Sequence, residues 1–242
     1  PVKQETIDPL DTYFDDLVQA MITGLDYFVK TGAFSKIGIA LSGGKDSMLS
    51  LLVCYLFSMK RFGDLTEEKR NMMIRYFIVC FSMPARFNSE ETKGIARLVC
   101  EELGVTFREI PIDDAFLTEL SRVKEMLGPD EEVTPVTKMN IQARIRGERM
   151  LNWANSSGGM WIQTGNMSEK AVGYTTMGGD MMGAYSLIAN IPKTVVIALL
   201  EYLDKTMKLQ SVKKVLASKA SAELEENQED EKDLMPFTIL DT

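Results

Sequence analysis

The sequence predicts an α/β fold, a doubly wound parallel sheet flanked by helices and Rossmann-like in plan. Three observations carry this. Ile37 to Leu41 is an unbroken apolar run, the pattern of a strand buried on both faces. Further β-branched and aromatic runs, at Met73–Phe81, Val105–Ile112 and Met160–Gln163, recur along the chain. Segments of helical periodicity separate them, and strands alternating with helices fold as right-handed β-α-β units in a parallel sheet.

The first helix is expected within Val2–Lys30, where Tyr13, Phe14, Leu17, Val18, Met21, Ile22, Leu25 and Phe28 recur at helical spacing, and Gly32 ends it. The strand Ile37–Leu41 runs into the turn Ser42–Ser47 and then an apolar helix, Met48–Phe57. Lys60–Asn71 is charged and reads as a loop; Met73–Phe81 is the second strand, followed by the loop Ser82–Arg86. Ser89 caps a helix over Glu90–Leu103 that Gly104 closes. Val105–Ile112 is the third strand, and Asp113 caps a helix over Ala115–Leu127. After the acidic loop Gly128–Pro135, a long helix over Thr137–Ala154 carries Asn140, Arg144, Arg146 and Arg149. The strand Met160–Gln163 opens into the loop Thr164–Glu169, then a glycine- and methionine-rich stretch, Gly173–Gly183. Pro192 sits in the first turn of a helix reaching about Tyr202. Val212–Ala217 is a short helix, and Ser218–Asp233 is polar and acidic. Ligands of such sheets bind beyond the carboxyl ends of the strands, so Ser42, Met83 and Thr164 are expected to gather there.

Composition narrows the chemistry. A formal net charge of −8 over 242 residues argues against a broad nucleic-acid surface. No apolar run approaches the ~20 residues of a membrane helix. The first residues are polar and acidic, unlike a signal peptide, so a cytoplasmic protein is expected. Pro1 in place of an initiator methionine leaves a longer parent chain open. Cys54, Cys80 and Cys100 lie in apolar runs without a C-x-x-C pair and read as buried free thiols of a reducing compartment. Histidine is absent, which removes Ser–His and Cys–His nucleophiles and imidazole metal sites. A metal would be held by oxygen, which suits magnesium.

The turn after the first strand concentrates the chemistry. A strand, a glycine turn and a helix N-terminus converge amide N–H groups on an anion. Gly44-Lys45 is followed by Asp46, so the turn is not a Walker A loop, and Gly43-Gly44 does not supply a dinucleotide fingerprint. Ser42-Gly43-Gly44-Lys45-Asp46-Ser47 resembles the pyrophosphate loop of the N-type ATP pyrophosphatases, which split ATP into AMP and pyrophosphate. An ordinary serine- and glycine-rich turn is the alternative.

Three later stretches extend the resemblance: Asn140-x-x-x-Arg144-x-Arg146, then Thr164-Gly165-Asn166-x-Ser168-Glu169 through Gly173, then Ser221 to Glu231. With Pro192-Lys193-Thr194 they are similar to the NAD synthetase family from about Tyr13 to Asp241, most of all the synthetase domain of bacterial glutamine-dependent members. The resemblance implies an adenine nucleotide alpha hydrolase-like fold and one synthetase domain over residues 1–242, without a glutaminase domain. It implies a ligase that joins nicotinic acid adenine dinucleotide to ammonia through an acyl-adenylate, with ATP as co-substrate and Mg2+. The ammonia is free or drawn from glutamine by a glutaminase domain or subunit. A homodimer is expected, with no nucleic-acid or membrane partner.

Carried over residue by residue, Ser42, Gly43, Gly44 and Ser47 hold the pyrophosphate, with Lys45 beside them or facing solvent. Asp46 and Glu169 ligate the metal; Met83 packs near adenine, Thr164 contacts ATP, and Lys193 and Ser221 stand at its phosphates. Asp46 and Lys193 are the catalytic candidates. Arg144, Met177 and Asp180 face the dinucleotide, with Asp180 alternatively holding its loop and the methionines alternatively filling the core. Arg146 and Arg149 divide between substrate contact and a solvated helix face. Ammonia-dependent members carry a lysine where Met177 stands and an aspartate near Ala184, which favours the glutamine-dependent branch. The competing readings are another N-type ATP pyrophosphatase, GMP-synthesising or tRNA-thiolating, and a non-catalytic ATP-binding module.

Overall fold

The computed structural model describes residues 8–86, 88–218 and 230–242. Five strands form one all-parallel sheet: β1 (Lys36–Ala40), β2 (Ile78–Ser82), β3 (Thr106–Glu109), β4 (Gly159–Gln163) and β5 (Tyr185–Ser186). Their spatial order is β3-β2-β1-β4-β5, so the order reverses at β1, between β2 and β4. Ile39 pairs with Cys80 on one side and Ile162 on the other. The crevice beyond this central strand is where a doubly wound sheet binds its ligand.

The helices are α1 (Pro9–Thr31), α2 (Lys45–Arg61), α3 (Glu67–Phe77), α4 (Glu90–Leu103), α5 (Asp113–Met126) and α6 (Pro135–Ser157). There follow α7 (Met167–Ala171), α8 (Lys193–Met207), α9 (Gln210–Ala217), α10 (Asp230–Asp233) and α11 (Phe237–Leu240). The larger core lies on the sheet face covered by α1, α2, α4, α8 and α9, where Leu25, Leu49, Leu52, Val99, Leu199 and Val212 meet Ile37 and Ile39. The other face is smaller: Phe81, Trp161 and Met150 of α6 meet Ile112 there. Among the described residues no helix is long and apolar enough to cross a membrane.

Several boundaries differ from the expectations, each for a local reason. Met73–Phe77 is the end of α3, not the start of a strand; Glu67 and Glu68 favour a helix start, and Ile74 and Phe77 face the core three residues apart. The Lys60–Asn71 segment is accordingly the end of α2, a short turn and the start of α3, rather than a loop throughout. The third strand stops at Glu109, because its neighbour β2 ends at Ser82 just before Pro84. Asp113 is the first residue of α5 rather than its cap. Pro135 opens α6 instead of closing a loop, with the Thr134 hydroxyl oxygen accepting the Thr137 N–H. The stretch after β4, expected as a loop, contains α7, and the two-residue edge strand β5 went unread.

Candidate active site

The loop between β1 and α2 sets the site. Gly43 has φ +89, and a Cβ there would stand 2.2 Å from the Thr92 carbonyl oxygen, so the turn requires glycine. Gly44 is the N-cap of α2 and offers no side-chain acceptor, which leaves the first-turn amides of an apolar, buried helix for an outside anion. The Ser42 hydroxyl, on an exposed residue, accepts the Gly44 N–H at 3.1 Å and lies 3.1 Å from the Ser47 hydroxyl. Lys45 does not face solvent: it is buried and donates to the Ser218 carbonyl. Burial, then the nearby Lys193 charge, lowers its ammonium from the ordinary range.

The second half of the site comes from the far side of β1. After β4, Asn166 caps α7 in a reciprocal box. Its Oδ1 accepts the Glu169 N–H at 3.0 Å, and the Glu169 carboxylate accepts the Asn166 N–H at 3.3 Å. The remaining arm of Asn166, Nδ2, donates to Asp46 Oδ1 at 2.9 Å. Asn166 thus holds both acidic side chains in register, a function the sequence reading did not assign although N-x-x-E spacing is a readable capping signal.

Between these carboxylates stands Lys193, the first residue of α8 and 3% exposed. Its ammonium donates to Asp46 Oδ2 and lies 3.8 Å from Glu169 Oε1. Burial alone would lower the Lys193 ammonium, but Asp46 and Glu169 outweigh it and hold it above its ordinary value. Burial, with the Asp46 charge second, pushes Glu169 up to about 8. Asp46 and Glu169, 123 positions apart by their numbers, therefore face one point that already accepts a positive charge. Two carboxylates with nucleotide phosphates and waters are a usual magnesium environment, so the donor set fits that ion. Among the described residues no group of three or more acidic, histidine or cysteine side chains clusters as a metal site.

A solvent-open cleft beside the loop joins other candidates. Ser42 and Met83 line it together with Phe81, Asn88, Lys93 and Arg146. Arg146 is half-buried and donates to the Met83 carbonyl at 2.9 Å, while Arg149 donates to the Ile110 and Pro111 carbonyls; neither forms a solvated face. Thr164 follows β4 directly, half-buried. Arg144 donates to the Met177 carbonyl at 3.2 Å, so these two dinucleotide candidates adjoin. Met177, Met181 and Met182 are exposed and do not fill the core. Asp180 accepts the Thr176 N–H at 2.5 Å and holds its loop. That loop lies against α6, where a Cβ on Gly179 would come within 2.9 Å of Ala143. Ser221 lies outside the described residues.

A parallel sheet with a glycine loop at its point of reversal, and paired carboxylates facing that loop, defines the adenine nucleotide alpha hydrolase-like fold class. Within that class the chain belongs to the NAD synthase family, whose model matches residues 17–242. It is 30% identical over 239 residues to the glutamine-dependent NAD(+) synthetase of Thermotoga maritima, covering 98% of this chain and 38% of that protein. The Synechocystis enzyme of the same name is 33% identical over 242 residues, covering 99% of this chain and 39% of the relative. Among solved structures, glutamine-dependent NAD+ synthetase from Acinetobacter baumannii in complex with ADP superposes with a TM-score of 0.72 at 25% identity. It covers 86% of this chain and 37% of that one. The chain thus spans about two fifths of the length of these relatives.

Proposed function

We propose that the protein is a ligase that amidates nicotinic acid adenine dinucleotide to NAD, converting ATP to AMP and pyrophosphate. The observation that carries this is the convergence of Asp46, Glu169 and Lys193 on one point beside the Ser42–Ser47 loop. A carboxylate oxygen of the dinucleotide attacks the α-phosphorus of ATP, and pyrophosphate leaves. Ammonia then attacks the acyl carbon, loses a proton, and AMP leaves. Neither displacement needs a nucleophile from the chain, consistent with a sequence that holds no histidine.

The chain's own residues work by position and charge. Ser42, Gly43, Gly44 and Ser47 grip the departing pyrophosphate through amides and hydroxyls, with Lys45 and Ser221 near it. Lys193 donates to ATP phosphates; Met83 packs on adenine in the cleft it shares with Ser42, and Thr164 contacts ATP. Arg144, Met177 and Asp180 receive the dinucleotide. Asp46 and Glu169 hold magnesium, which supplies charge neutralisation at the phosphates.

The synthetase unit works as a homodimer and in the cytoplasm; for the latter, the free, buried Cys54, Cys80 and Cys100 suit a reducing compartment. Its ammonia comes free or from a glutaminase domain or subunit, as the names of the relatives suggest.

The test is direct. With ATP, magnesium, ammonia and nicotinic acid adenine dinucleotide, the protein should form NAD, AMP and pyrophosphate in equal amounts; ADP as product overturns the reading. Asp46→Asn should lower turnover roughly 100-fold or more while circular dichroism stays unchanged.

A further inference from the structure

We infer that Asp241 is a positioning residue for this reaction: its carboxylate caps α8 from a distant part of the chain and so fixes where Lys193 and Glu169 stand. The inference rests on the proposed function. Helix α8 opens after Pro192, an N-cap residue with no side-chain acceptor. The first amides of a helix have no intrahelical partner. Here other elements satisfy them. The Lys193 N–H donates to the Ser168 hydroxyl at 2.8 Å, and the Thr194 N–H donates to Asp241 Oδ2 at 2.8 Å. The Thr194 hydroxyl donates to the same oxygen at 2.8 Å. The Ser168 hydroxyl donates in turn to Asp241 Oδ1 at 2.5 Å.

One carboxylate therefore clamps two elements, the start of α7 and the start of α8. Each clamped residue adjoins or carries a working side chain: Glu169 follows Ser168, and the Lys193 amide that Ser168 accepts belongs to the lysine at Asp46. Ser168 and Lys193 are 2% and 3% exposed, so water does not replace these bonds freely if they are lost. An anion also suits the positive end of the α8 dipole. Burial alone would raise the Asp241 carboxyl, but the Ser168 and Thr194 donors and the Lys193 charge hold it below the usual range. Phe237, from the same segment, is buried with its ring 5.5 Å from the Lys193 ammonium, and its carbonyl accepts the Asp241 N–H at 2.9 Å.

The experiment compares Asp241→Asn and the milder Thr194→Val with Asp8→Ala, which removes the carboxylate cap of α1. Two readouts are taken on each protein: the magnesium dependence of NAD formation, and Mn2+ binding by water-proton relaxation with α,β-methylene ATP present. Asp241→Asn should weaken Mn2+ binding roughly tenfold and raise the magnesium requirement in parallel, with KM for the dinucleotide within about twofold. Thr194→Val should move both in the same direction by less. Asp8→Ala should lower only the melting temperature. If Asp241→Asn lowers the melting temperature as Asp8→Ala does and leaves both metal readouts unchanged, Asp241 is a structural pin and the inference fails. Should Asp241→Asn not fold, Thr194→Val decides by the same readouts. A wild-type protein that binds Mn2+ but forms no NAD overturns the proposed function alone, and the Mn2+ comparison still decides for Asp241. Absence of Mn2+ binding in the wild type overturns the inference and the metal site together.

Discussion

At Glu169 the carboxyl keeps its proton to about pH 8, against an ordinary value of 4.5, because it is buried and faces Asp46. A proton held more tightly by the folded chain favours folding. That contribution is complete below about 4.5 and is lost as pH rises toward about 8. Lys193 is raised and Asp241 lowered, each shifted away from this window, so neither masks it. In metal-free buffer, denaturation midpoints of the wild type should fall between pH 5 and 8, and Glu169→Gln should flatten that slope. Equal slopes in the two proteins would contradict the assignment. That Asp46 and Glu169 would meet was legible because serine, glycine and carboxylate types in this order suit phosphate and cation chemistry. Ser168 and Asp241 were not, since a serine and an aspartate 73 positions apart give no local signal that they touch.

At the level of the element, the β1–α2 turn is legible because sterics dictate its composition. Gly43→Ala places a methyl against the Thr92 carbonyl and forces a left-handed backbone on a residue that resists it. It should cost about 1–3 kcal/mol in urea titrations and weaken ATP binding measured by calorimetry. The α3–β2 junction was misread for the opposite reason. Met73–Phe81 is continuous in apolar and β-branched character, so no residue marks the change at Ile78 from helix to strand. Sheet neighbours decide it: Ile78 pairs with Ile37, whereas Ile74 and Phe77 pack as one face of a helix. Edge strand β5 escaped because two residues are too few to show a period.

Across the molecule, the parallel sheet was readable because buried central strands are apolar on both faces, as the fully buried β2 and β4 are. The order β3-β2-β1-β4-β5 followed from no single stretch but from packing of the whole. The same core encloses Cys54, Cys80 and Cys100, and burial pushes the Cys54 and Cys80 thiols up. Ellman's reagent should therefore react with none of the three thiols in the folded protein and with all three in denaturant. Fast native labelling would contradict the packing.

The partners of Asp46 arrive late. Its amide donor is 120 positions downstream and its ammonium 147, with the clamp on that lysine's helix, Asp241, lying 47 positions beyond Thr194. During translation the glycine turn therefore emerges long before anything that can balance its acidic residue. Until then Asp46 is an ordinary hydrated side chain, and its buried ion pair dates from the appearance of Lys193. Truncation just before Asp241 would then spare the sheet and release the start of α8.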